Sequence, residues 1–190
     1  DNPALGTATL ALQTKGELEK DDLRGDVNIV VEEFTYNGYA YQDMSIEGSY
    51  APRLYDAHLL IKDERLDIRL YGQLDMRSSL MATMDIRCEQ FDSYPLFSSD
   101  ADGSHARMRF NASTEIAGKD ADDVSGSLVV DSFFLATELD SIMMRQLQLH
   151  LDADANRKTI TLHSDYLNGQ VDGSFRYADI IPACHSLLHR

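Results

Sequence analysis

Residues 145–163 read RQLQLHLDADANRKTITLH. Leu147, Leu149, Leu151 and Ala153 alternate with Gln146, Gln148, His150 and Asp152. The order breaks across Asp154 to Arg157, and Ile160 and Leu162 then alternate with Thr159, Thr161 and His163. Successive side chains of an extended strand point to opposite faces, so this pattern predicts a β-hairpin with one apolar and one wet face.

The same period of two extends in both directions from that hairpin. Leu10 and Leu12 open the chain within an Ala4 to Thr14 strand, and the polar run KGELEKDD (15–22) reads as a break. Val27, Ile29 and Val31 follow, and Asn37-Gly38 supplies the positive φ of a tight turn. Met44 and Ile46, then Leu59 and Ile61, then Leu66, Ile68 and Leu70, and then Leu80, Met84, Ile86 and Cys88 each share one parity. Met108 and Phe110, Leu128 and Val130, and Val171 and Phe175 continue the rule. In the segment 124–135 the parity changes near Ser132, which predicts a β-bulge or a strand end. Single helical turns are expected around Phe91 to Phe97 and Thr137 to Met144. The tail ADIIPACHSLLHR changes to a helical period through Ile180, Cys184 and Leu188. The expectation is one β domain over 1–177, of about ten antiparallel strands, followed by a short amphipathic helix over 178–190. An apolar-x-Gly pattern ending at Gly25, Gly48, Gly72, Gly126 and Gly173 has near-regular spacing, as a strand-pair array would produce.

Composition narrows the function classes. Asp and Glu outnumber Lys and Arg 32 to 17, and no predicted strand carries a basic cluster, which disfavours nucleic acid and anionic bilayer surfaces as partners. No run approaches the roughly 20 apolar residues of a transmembrane helix, and DNPALGTATL has no signal-peptide pattern, so any anchor or export signal is expected either outside this segment or not at all. Cys88 and Cys184 read as buried thiols or as one long-range disulfide. G-x-S-x-G, H-E-x-x-H, C-x-x-C and phosphate-loop patterns are all missing, so no catalytic residue, cofactor or metal is assigned. Asp152-x-Asp154-x-Asn156 starts like a calcium loop, but Arg157 stands where the loop needs glycine and no glutamate closes it. His58, His105, His150 and His163 fall on polar parity, and Asn111-Ala112-Ser113 is a bare glycosylation tripeptide.

Strands with one apolar face either close on each other around a dry core or leave that face as an open groove. Leu, Ile, Val, Met and Ala supply the face and Trp is absent, a lining suited to alkyl chains. The segments YNGYAYQDMSIEGSY (36–50), DADDVSGSLVVDSF (120–133) and NRKTITLHSDYLNGQVDGSFRYADI (156–180) together resemble the TamB branch of the AsmA-like superfamily, in the form found in the Bacteroidetes. That resemblance implies an internal segment of a periplasmic, inner-membrane-anchored protein. Its expected form is a β-taco, a curled antiparallel sheet with an open apolar groove. It implies phospholipid acyl chains as cargo, an outer-membrane Omp85-class assembly protein as partner, a role in lipid transport and envelope assembly, and no catalysis. The competing readings are a closed β-sandwich acting as an adhesin or carbohydrate-binding module, with Tyr36, Tyr39 and Tyr41 as the aromatic platform, an enzyme of unrecognised type, and a different lipid carrier with a closed cavity.

Overall fold

The computed structural model describes residues 5–19, 22–93, 105–120, 122–154 and 157–177. They form one antiparallel sheet of eleven strands. The strands are β1 (Leu5–Glu19), β2 (Asp22–Tyr36), β3 (Tyr39–Ala51), β4 (Leu54–Lys62), β5 (Leu66–Asp75), β6 (Leu80–Asp92), β7 (Arg107–Gly118), β8 (Val124–Ala136), β9 (Ser141–Asp154), β10 (Arg157–Ser164) and β11 (Asn168–Gly173). Their order in space is their order in the chain, so the sheet is a continuous meander. Because β1 and β11 do not pair, both edges stay open and the sheet is neither a barrel nor a sandwich.

Exposure fits a single layer. The molecule presents 13335 Å² to solvent, whereas a compact globular chain of its mass would expose roughly 9,000 Å². Among the described residues fully buried apolar side chains are few: Tyr41, Ile61, Leu66, Cys88 and Val124.

Three local expectations change. The break expected over 15–22 narrows, since 15–19 continue β1 and Asp22 opens β2: Lys15 pairs with Asp26 and Glu17 with Arg24, and opposite charges across the ladder tolerate that register. Residues 137–144 do not form a helical turn. The Thr137 backbone N–H and hydroxyl bind the Asp140 carbonyl, the Asp140 N–H returns to the Thr137 hydroxyl, and Ser141 to Met144 enter β9. Phe91 and Asp92 end β6 as strand, while 94–97 and the tail 178–190 with its expected helix lie outside the described residues.

The parity change at Ser132 is a bulge. Phe110 alone on β7 faces Ser132 and Phe133 on β8, and Ser132 takes φ 56°. Asp43 on β3 likewise takes φ 52°, which turns Tyr41 toward the face occupied by Met44 and Ile61. The glycine series does not mark equivalent hairpins. Gly48 and Gly72 share a row through Ala57, but Gly25 faces Gly16 and Tyr50, and a Cβ there would stand 2.8 Å from the Tyr50 hydroxyl.

Candidate functional site

Strand register turns the sequence alternation into rows that cross the sheet. One row is formed by successive partners Leu12, Ile29, Ile46, Leu59, Leu70, Ile86, Ala112, Val130 and Leu147, from β1 to β9. At about 4.8 Å between strands it spans roughly 38 Å. A parallel row holds Val27, Gly48, Ala57, Gly72, Met84, Thr114, Leu128, Leu149 and Leu162. Tyr50, Tyr55, Leu74, Ala82, Ile116, Gly126, Leu151, Ile160 and Val171 make the next. On the other flank run Leu10, Val31, Met44, Ile61, Ile68, Cys88 and Phe110, and beyond them Leu66, Phe91, Met108 and Leu135.

The two faces differ. Along β7, Met108, Phe110, Ala112, Thr114 and Ile116 are half-buried while Arg107, Arg109, Asn111, Ser113 and Glu115 are exposed. Only strands adjacent in the meander pair with one another, so the shielding of the apolar face comes from its own side chains. The sequence-predicted groove residues on strands therefore collect on one face, with Leu80 opposite Gly118 near its margin. Phe175 is the exception, since β11 ends at Gly173 and Phe175 packs edge-on against Tyr177 at 6.1 Å. Tyr177 itself closes one corner: its N–H binds Asp122 at 2.8 Å, its hydroxyl binds the Val124 carbonyl at 3.0 Å, and the Lys158 ammonium lies 4.6 Å from its ring centre and 3.2 Å from Asp122.

The opposite end of the face, over β2 to β6, holds the densest packing. Tyr41, Ile61 and Leu66 are buried with Phe34, Tyr36, Tyr39, Met44, Leu59, Ile68 and Phe91 around them. Asp63 pins the rim, accepting from the Tyr39 hydroxyl at 2.8 Å, the Gln42 N–H at 3.1 Å and the Arg65 N–H at 2.9 Å. Arg65 pairs with the buried Asp92 at 3.2 Å and lies over the Tyr39 ring at 5.2 Å. Burial, reinforced by the Asp63 carboxylate, raises both the Tyr39 and Tyr41 hydroxyls to about 12. Burial also pushes the Cys88 thiol up to about 11, which makes it a packing group and a poor nucleophile.

None of the other sequence candidates gathers into a site. Tyr41 is 2% exposed and Tyr36 and Tyr39 pack half-buried beside it, so the three tyrosines belong to the packed cluster and do not stand out as an exposed platform. His58 packs on Tyr71, His150 faces Thr161, and His163 contacts Asn168. In the segment that resembled a calcium loop Arg157 pairs with Asp154 in the ladder and binds Asp172 on β11, Asn156 lies outside the described residues, and no cluster of three His, Cys, Asp or Glu side chains able to hold a metal occurs among the described residues. Sequence reading missed the Asp63, Arg65 and Asp92 network. Its only local trace is the short polar link Asp63 to Arg65 between two apolar runs.

No family model, curated protein or solved structure matches the chain.

Proposed function

We propose that the apolar face is a lipid-carrying groove and that the chain is a non-catalytic module of a TamB-like, periplasmic lipid bridge, working beside an outer-membrane assembly protein of the Omp85 class. One observation carries the reading: unbroken apolar rows cross up to nine strands on a face that no second layer of described residues covers. An acyl chain laid on such a face gains about 0.8 kcal/mol for each CH₂ removed from water, so it leaves a bilayer against a lowered barrier. Head groups stay in solvent at the margin and need no dedicated pocket. Resemblance of 36–50, 120–133 and 156–180 to the TamB branch supports the periplasmic setting and the partner.

Native mass spectrometry with lipid extraction on protein purified from a bacterium tests this. Phospholipid is expected to co-purify with the natural chain and to be lost from Leu149→Glu and Ile160→Asp, with circular dichroism unchanged. A lipid-free natural chain, or variants that keep their lipid, overturns the reading.

A further inference from the structure

The face opposite the apolar rows carries its own arrangement of charge. Arg87 on β6, Arg109 on β7 and Arg145 on β9 line one hollow of about 420 Å³, together with Asn111, Phe134 and Met143. Each arginine comes from a different strand, so register collects a cluster that no single run of sequence shows. The hollow lies where two ladders slip, β6 against β7 between Cys88 and Phe91, and β7 against β8 between Arg109 and Asn111. Bulges re-aim side chains. The one at Ser132 leaves Phe133 on the apolar face and sends Phe134 to this one, between Arg109 and Met143. The Arg109 guanidinium lies over the Phe134 ring, 5.0 Å from its centre, and is held there without a carboxylate among the described residues. The carboxylates nearby leave donors over. Glu89 takes Arg87 through Nε, Asp165 takes the Arg145 side chain through Nη2, and Asp131 accepts from Gln146. Asp85 stands one row off, opposite Tyr71. Arg69 stands directly opposite Arg87 in the ladder, a like-charge pair that costs stability until an anion joins it.

We infer that this hollow binds a small organic phosphate. Guanidiniums reaching in from three strands suit the oxygens of a tetrahedral group, whereas a planar carboxylate is satisfied by one fork. Phe134 and Met143 wall the part of the hollow away from the arginines, so the substituent on the phosphate is apolar or aromatic. The chain as a whole carries a net charge of −15, and its general field repels anions. Binding therefore rests on short, directed contacts to these arginines and not on attraction to a basic surface. The site lies on the other side of the sheet from the apolar rows, and the inference stands whether or not those rows carry lipid.

Isothermal titration of the natural chain with inorganic phosphate and with phenyl phosphate tests the assignment. Both are expected to bind, phenyl phosphate the more tightly, and Phe134→Ala should remove the difference between them. Arg109→Gln should weaken both by about 10- to 100-fold, the worth of a hydrogen bond to a charged group. Arg87→Gln should act in the same direction. Arg53→Gln removes an equal charge from the turn between β3 and β4 and should change nothing. Arg109→Lys keeps the charge but not the fork, and should recover only part of the affinity. Circular dichroism spectra are expected to match the natural chain throughout, since these side chains are not in the packed cluster. No binding of either phosphate at about 10 mM overturns the proposal. So does acetate bound as tightly as phosphate, or an Arg109→Gln or Arg109→Lys chain that binds as the natural one does.

Discussion

Leu66 and Leu149 obey the same alternation and lie on the same face of the same sheet, yet Leu66 is 8% exposed while Leu149 is only half-buried. Leu66 stands where the ends of β2 to β6 converge, with Tyr41, Ile61 and the surrounding aromatics packed over it. Leu149 stands in mid-face, touched from the sides by Leu128 and Leu162 of the adjoining strands. Period-two patterning assigns a face, but the depth of burial depends on what rises above that face. One end of the sheet is thus built to hold the fold, and the long span beside it is left free to contact something else.

The sharpest test of that contrast is truncation at both points. Leu66→Ala should lose about 2–5 kcal/mol, as deletions in packed cores do. Leu149→Ala should lose less, about 1–2 kcal/mol, because part of its surface stays in water and the truncation opens no enclosed cavity. Urea unfolding followed by circular dichroism measures both, and equal losses would erase the distinction between the two regions. Next in size is the polar rim of the packed end. Asp63→Ala removes the acceptor of three hydrogen bonds, from the Tyr39 hydroxyl and from two backbone N–H groups. The expected loss is about 1–3 kcal/mol, with most of it coming from the donors left behind.

The packed end also carries an alkaline pH signature. Tyr39 and Tyr41 are raised to about 12 from an ordinary 10 by burial and by the Asp63 carboxylate. In this range the folded chain holds protons that the unfolded chain releases, so their contribution is intact below pH 10 and is lost as pH rises toward 12. Alkaline titration at the phenolate absorbance should show Tyr39 and Tyr41 ionising late and together with unfolding, beside Tyr177, which its own burial also raises. Asp63→Asn should shift that step to lower pH. Tyr39 and Tyr41 ionising near 10 with the fold intact would contradict the burial.

Much of this architecture was legible from alternation alone, because a strand with one apolar face needs only that pattern. The parity change at Ser132 announced its bulge, since Leu128 and Val130 cannot share a face with Phe133 and Leu135 without an added residue. The packed end was not legible. Its network joins Tyr39 to Asp63 and Arg65 to Asp92, separations of 24 and 27 residues that only the stacking of hairpins brings together. Tyr41, an exposed platform only in the competing sandwich reading, is buried because the turn of the backbone at Asp43 resets the parity, and nothing in the side chain of Asp43 declares a positive φ. The length of β1 was hidden by charge. Glu17 and Lys15 look like a loop until Arg24 and Asp26 are seen opposite them.

The smallest effect tests whether that bulge is a device or a defect. Ser132 takes φ 56°, where an L side chain is strained and glycine is not. Ser132→Gly relieves the strain but adds backbone freedom to the unfolded chain, so stability should move by no more than about 0.5 kcal/mol. Ser132→Val carries a β-branched side chain into the same conformation and should lose about 1–2 kcal/mol. The bulge keeps Phe133 beside Phe110, ring centres 6.4 Å apart, and Leu135 opposite Met108. A Ser132→Val chain as stable as the parent would mean that β8 can pair without the left-handed residue. Phe133 and Leu135 would then turn to the polar face, and the apolar rows would stop at the middle of β8.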